Sequence, residues 1–384
     1  MLKSTSNRSA KNSISYSIWR LQKYILTTVV TVILLLTSLG AQTMRPIQPR
    51  FIIEDLGSFG LGSRATGINN YGQVAGSSFA PNAFSHAFRY TDGVGLVDLN
   101  QFSRSAITYG AGINDLGQVG GSVDASGGAG GYHPFRYTDD VGLVDLGTLP
   151  GYTFGYGGAI NTDGQVVGSA YGSSANPNML RAFRYSDDAG MEDLGTLGRN
   201  SLSQGINDSG MVVGYSETPT TPMGDYWNPG HAFLYSDSKG MQDLNDLIDS
   251  PAGWELRKAN GINSSKQIVG FGAHDGVGIR AFRFKKGVVE DLGTFTGGGI
   301  SYALGINNRG EVVGAAYLDA SGVGNFRAML YTDRLGIQNL NDLISPASGW
   351  VLREATGINN QGQIVGWGEF NGMEHAFRLT PQRH

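Results

Sequence analysis

Histidine and aspartate can exchange a proton near neutral pH, and in this 384-residue chain they recur at a fixed interval. His86 and Asp98, His133 and Asp145, and His231 and Asp243 lie twelve residues apart, as do Arg181 and Asp193, and Arg327 and Asn339. Arg280 and Asp291 lie eleven apart, across a turn shortened to Lys285-Lys286-Gly287. Each basic residue opens a His-Ala-Phe-like segment, and each partner opens Asp-Leu-Gly or its equivalent. Folding the stretch between them as a hairpin sets the two positions opposite or diagonal, within reach of cross-strand pairing. So regular a series points to packing, because catalysis needs an asymmetric constellation. The functional alternative is a ring that responds to pH. Residues spread along strands and turns do not surround one point as zinc ligands do. No catalytic residue, metal ligand or cofactor is assigned.

A second motif shows what must hold these pairs. Gly-Ile-Asn, or once Ala-Ile-Asn, places asparagines at 69, 114, 161, 207, 263, 307 and 359, at spacings of 45, 47, 46, 56, 44 and 52. A glycine follows seven residues after every one, and another three residues after all but Asn263, where Lys266 stands. Asn-x-x-Gly suits a tight turn, since asparagine hydrogen-bonds its own backbone and glycine accepts positive φ. It lacks the alternating carboxylates of a calcium loop. Flanks such as Gln165-Val166-Val167-Gly168 are short and β-prone. His-Ala-Phe-Arg-Tyr alternates like a half-buried strand, and Leu-Val-Asp-Leu follows after another turn. Four short antiparallel strands in about 46 residues match one blade of a β-propeller.

The order of strand types predicts how the ring shuts. The first unit opens at Phe51-Ile52-Ile53-Glu54-Asp55-Leu56, a strand of the fourth type, and the last ends at His375-Ala376-Phe377-Arg378-Leu379, the third type. Pairing them removes the exposed sheet edges of an open array. The expected fold is all-β, a seven-bladed propeller of four-stranded blades over residues 51–381, closed by its N-terminal strand. Closure also supplies a further basic–acidic pair, His375 with Asp55.

Composition agrees with this class. There are 59 glycines, about twice the usual share of ~7%, and 16% charged residues. Zero cysteine excludes disulfides, cysteine-bound zinc and thiol catalysis. The chain carries net charge −4 although residues 1–41 hold five cations and no acid, so the remainder is more acidic still. That gives no basic patch for nucleic acid. Those cations precede an apolar run from Tyr24 to Leu39, then Ser38-Leu39-Gly40-Ala41, the order of a secretory signal. The charge-free stretch from Tyr24 to Met44 is also long enough for an uncleaved signal-anchor. Residues 1–41 are therefore a signal peptide or signal-anchor and 42–50 a linker. The expected location is secreted, extracellular or periplasmic, with membrane contact only through an uncleaved leader.

Gly-Ile-Asn-Asn-x-Gly-Gln-Val-Val-Gly, His-Ala-Phe-Arg-Tyr and Asp-Leu-Gly-Thr-Leu, in that order, resemble the bacterial extracellular repeat proteins of the HAF family over about Phe51 to Pro381. Ala159, Lys266, Pro134, Met329 and Asn339 depart from the pattern at single turns or strands. The resemblance implies export and a repeat fold, and brings no catalytic residue or substrate.

In a propeller the connections between second and third strands share a face with those leading to the next blade, and here both vary. Function usually sits on variable loops held by a rigid frame. The loop 217–230 carries Tyr226 and Trp227, another carries His274 and Asp275, and a third region has Trp367, Glu369 and Phe370. Aromatics beside carboxylates suit sugar or peptide binding. Two junctions carry an extra segment, Asn245 to Trp254 and Asn341 to Trp350, expected as short helical caps with both tryptophans packed between blades. These features favour a monomeric binding or scaffold module for a glycan or protein ligand. A structural matrix component is one alternative. A lyase or glycosidase on a propeller frame is another, needing two of Asp225, Asp275, Asp319 and Glu369 over one groove.

Overall fold

A computed structural model describes residues 50–102, 107–126, 131–173, 179–222, 227–320 and 324–382. The leader, the linker up to residue 49, Asp225 and Tyr226 lie outside the described residues. Seven four-stranded antiparallel sheets follow one another round a ring. The first blade comprises Gly62–Ile68, Val74–Phe79, Ser85–Thr91 and Gly95–Asp98. Blades two to six span 108–145, 152–193, 201–243, 254–291 and 301–339 in the same order. The seventh has Trp350–Ile358, Ile364–Phe370 and Met373–Pro381, and takes Phe51–Asp55 as its fourth strand. That strand runs antiparallel to the last, from Phe51 opposite Pro381 to Asp55 opposite Phe377.

The repeated residues explain the repeated shape. Asn69 Oδ1 accepts hydrogen bonds from the N–H groups of Tyr71 and Gln73 at 3.0 and 2.9 Å, which winds the turn between first and second strands. Gly72 then sits at φ +79°, where a side chain is disfavoured. Lys266 occupies the same position in blade five at φ +60°. The glycine seven residues after the asparagine has a different cause. A Cβ on Gly76 would lie 2.2 Å from the Arg64 carbonyl and 2.6 Å from the Phe88 ring. The glycine makes room for the buried Phe of the third strand, repeated as Phe135, Phe183, Phe233, Phe282 and Phe377, with Met329 in blade six.

Apolar packing joins neighbouring blades. Ala75 and Ala87 of the first blade meet Ile113, Val119 and Phe135 of the second. Leu56, Val365 and Ala376 meet Ala65, Val74 and Phe88 across the seam. The extra segments form 3₁₀ turns at Asn245–Leu247, Leu340–Leu343 and Pro346–Ser348. Asn245 bridges both backbone groups of Leu256, and Asn341 does the same for Leu352. Trp254 packs with Val213 and Ala232 of the preceding blade.

Candidate functional site

The basic–acidic positions fall on adjacent third and fourth strands, diagonal to each other, with Phe88 directly opposite Asp98. His86 Nδ1 lies 2.8 Å from Asp98, His133 2.9 Å from Asp145, His231 2.5 Å from Asp243 and His375 2.9 Å from Asp55. The three arginine copies differ. Arg181 stands 3.9 Å from Asp193 and donates instead to the carbonyls of Leu180 and Arg199. Arg280 does not pair with Asp291, which corrects the expectation. Its guanidinium reaches past the carboxylate to the Ile279 and Gly299 carbonyls, and His274 from the second strand takes Asp291 at 3.0 Å. The register is unchanged by the shorter turn, with Phe282 opposite Asp291. Side-chain length decides the outcome: imidazole stops at the acid, while guanidinium reaches the segment entering the next blade. Arg327 faces no acid at Asn339 and donates to the Phe326 carbonyl.

The acid has a prior task. Asp55, Asp98, Asp145, Asp193, Asp243 and Asp291 each accept the N–H two residues on, at 2.8–2.9 Å, turning the chain out of the fourth strand. Asn339 does this equally well for Asn341, so the charge can be absent there.

Motif reading missed the arginine of His-Ala-Phe-Arg-Tyr. Arg89 donates to the Gly117 carbonyl and to Asp139 of the next blade, at 2.9 and 2.6 Å. Arg136, Arg184, Arg283 and Arg378 repeat this at Gly164 and Asp187, Gly210 and Asp237, Gly310 and Asp333, and Gly72 and Asp92. Each guanidinium lies over a tyrosine of that next blade, as Arg378 does over Tyr90 at 5.4 Å. Tyr90 donates to Glu54 at 2.6 Å, and this hydrogen bond, with burial, pushes its hydroxyl up to about 12. Leucines 234 and 330 replace the arginine at two junctions. These are the junctions that carry the extra segments, whose Leu247, Ile248, Leu340 and Ile344 pack against those leucines. The recurrence of Arg three residues after the basic position was the available signal.

The first strands surround the axis, and the channel between them has two unlike mouths. At one, the carboxamide of each ring asparagine donates to the carbonyl of the next, from Asn69 to Asn114 at 2.9 Å round to Asn359 and back to Asn69 at 3.0 Å. A polar cavity of about 220 Å³ lies there, lined by the isoleucine, asparagine and following residue of every blade. Among the described residues, no three acids or histidines are placed to hold a metal ion.

The opposite mouth, at the connections between second and third strands, is aromatic. Tyr109, Tyr132, Tyr156 and Tyr171 follow one another across blades two and three, with centroids 5.8, 5.1 and 5.3 Å apart. From blade four, Trp227 reaches over blade five to Phe271, Tyr302 and Tyr317, anchored by Arg257 on its carbonyl at 3.0 Å. Phe326 links Tyr317 to Trp367, and Arg64 lies 4.2 Å over the Trp367 ring. The position five residues before each ring asparagine lies on the first strand of its blade and varies: tyrosine at 109, 156 and 302, but Arg64, Leu202, Lys258 and Glu354 in the other four blades. Glu354 accepts from Tyr302 at 2.8 Å and from Trp367 Nε1 at 3.0 Å. Lys258 keeps partial contact with solvent but sits deep among other groups. Burial pulls its amine down to about 8, opposed by Glu354. This departure from the repeat is the asymmetric constellation that the motifs themselves lack.

The binding candidates therefore separate. Trp227 and Trp367 belong to the aromatic mouth. Glu369 pairs with Arg353 at 2.6 Å. His274 stacks on Trp254 at 4.4 Å while holding Asp291, and the Asp275 N–H caps the Gly253 carbonyl. Both serve the local fold of blade five. Asp319 accepts from Asn325 within its own loop.

A family model for a protein of unknown function (DUF3466) matches residues 150–281, from the third blade into the fifth. No curated protein matches the sequence. The β-propeller domain of the Trilobed protease from Pyrococcus furiosus, described as having an open velcro topology, is similar at 9% identity and TM-score 0.54, over 83% of this chain and 93% of that one. A puromycin hydrolase is similar at 12% identity and TM-score 0.46, over 82% of this chain; the chain spans about half of it, 51%. The likeness to the protease domain is one of fold: this chain is a seven-bladed β-propeller with its ring shut by the N-terminal strand.

Proposed function

We propose that this propeller is a binding module that takes a saccharide at the aromatic mouth of its channel. The observation that carries this is the arc of ring contacts from Tyr109 to Tyr171 and from Phe271 through Trp227 to Trp367. Sugar rings present apolar faces that pack on aromatic planes, while their hydroxyls need polar groups beside those planes. Glu354, Glu369 and Arg64 supply such groups. The frame is held at every junction by packing and hydrogen bonds, so little order remains to be imposed on binding.

The same proposal extends to an exported, HAF-type repeat protein acting as a monomer without turnover. Cell fractionation with detection of the processed or anchored chain tests the location. A glycan array on the full chain tests the ligand class. Trp227→Ala or Trp367→Ala should weaken a positive signal tenfold or more, about 1.4 kcal/mol. An array with no signal, or one unchanged by both substitutions, counts against the site. Product release from a bound polysaccharide would overturn the absence of turnover.

A further inference from the structure

We infer that the ligand of the aromatic mouth is an acidic saccharide, and that Lys258 receives its carboxylate. This rests on the saccharide proposal above. Lys258 stands on the innermost strand of blade five, opposite Phe271, with its ammonium 5.4 Å from the Tyr215 ring of blade four. Neighbouring cations are matched: Arg64 holds Glu374, Arg257 holds Glu255 and Arg353 holds Glu369, each at 2.6–2.7 Å. Among the described residues no carboxylate comes within 4.0 Å of Lys258.

The groups around it do not fill that gap. Tyr215 offers its ring, and Tyr302 on blade six spends its hydroxyl on Glu354. Glu354 favours the charged amine only from a distance, with both oxygens held by Tyr302 and Trp367. Glu255, on the same strand, also stands 3.8 Å from His231, which is committed to Asp243. An ammonium stripped of much of its water, beside aromatic faces and with no carboxylate in contact among the described residues, is an incomplete pair. A uronate carboxylate completes it while its sugar ring lies on the aromatic surface. The pairing favours the protonated amine, so binding above pH 8 draws a proton from solution.

The test compares tetragalacturonate with its fully methyl-esterified counterpart, which keeps the sugar rings and loses the charge. Calorimetry on the full chain at pH 7 should show the acid binding at least tenfold tighter than the ester. Lys258→Met should abolish that preference and Lys258→Arg should keep it, with thermal melting confirming that both variants fold. At pH 8.5, heats in two buffers of different ionisation enthalpy should reveal net proton uptake on binding the acid. Equal affinity for acid and ester, or a preference that survives Lys258→Met, overturns this inference and leaves the saccharide proposal standing. Failure of both oligomers to bind, in a chain that binds neutral glycans on the array, overturns the acidic ligand alone. Failure on both overturns the two together.

Discussion

The carboxamide of Asn359 donates to the main-chain carbonyl of Asn69 at 3.0 Å, across 290 positions of sequence. The bond is the same one that joins each neighbouring pair of blades, so the seam is built like any other junction. Asn359 also accepts from the N–H groups of Gln361 and Gln363. Asn359→Ala should therefore cost about 2–4 kcal/mol, from several hydrogen bonds lost in a buried setting. Asn207→Ala should cost about as much: Met211 stands where the other copies carry Gln or Glu, so that side-chain bond is missing, but the Ser209 hydroxyl donates one to Asn207 in its place at 3.0 Å. Urea unfolding of both variants checks this; equal stability to the parent would remove the ring as a stabilising feature.

Arg378 fastens the closing strand through Glu54 and the next blade through Gly72 and Asp92. Arg378→Leu should destabilise by about 1–3 kcal/mol, the range for hydrogen bonds to charged groups after allowing for the exposure of both acids. Amide exchange should quicken in Phe51–Asp55 before it does elsewhere. The reverse change, Leu330→Arg, puts a guanidinium among Leu340, Ile344 and Leu352, and should cost more than Arg378→Leu. Exchange rates that rise evenly round the ring would contradict a local seam effect.

Lys266 holds the left-handed position that glycine fills in every other copy of the turn. Relieving a side chain there gains roughly 1–2 kcal/mol, part of which is returned as glycine's greater freedom when unfolded. Lys266→Gly should raise stability by about 0.5–1 kcal/mol, read as a higher midpoint in thermal melting. A lower midpoint would show that the lysine makes a compensating contact.

The His231–Asp243 pair gives a signed pH dependence. The hydrogen bond to Asp243 raises the imidazole above its ordinary value against the pull of burial, helped by Glu255 and Asp246. Burial acts to raise Asp243, but bonds from His231 and Asn245 outweigh it and hold the carboxyl low. A raised histidine stabilises fully below its unfolded value of about 6.5 and loses this as pH rises through the folded value. A lowered aspartate stabilises above about 3.9 and loses this as pH falls through its folded value. His231→Gln should therefore lose most stability between about pH 4 and 6.5 and little above pH 8. A constant deficit over that range would mean that the proton plays no part.

Much of the frame is legible in the residues because each repeated type answers a repeated constraint. Asn69 and Gly72 mark the turn, Gly76 the space for Phe88, and the strand types at Phe51 and Phe377 predict the seam. The mouth was not legible for the opposite reason. Lys258 and Glu354 occupy a position that is tyrosine in three blades and a different residue in each of the other four, too irregular for a search for repetition to mark. Arg280 failed because hairpin spacing locates a Cα and not the end of a long side chain. The sequence places His274 in a loop, whereas the second strand extends through it, Ile268–His274, and carries it to Asp291.

Arg50 donates to the Leu343 carbonyl, and Gln382 donates to the Arg50 carbonyl. Both ends of the described chain thus leave the ring side by side, next to the asparagine turn of blade seven. A surface linkage made at Arg50 or Gln382, the two ends of the described residues, would grip the propeller from its polar underside. The molecule immobilised in that way presents its aromatic rim to whatever flows past.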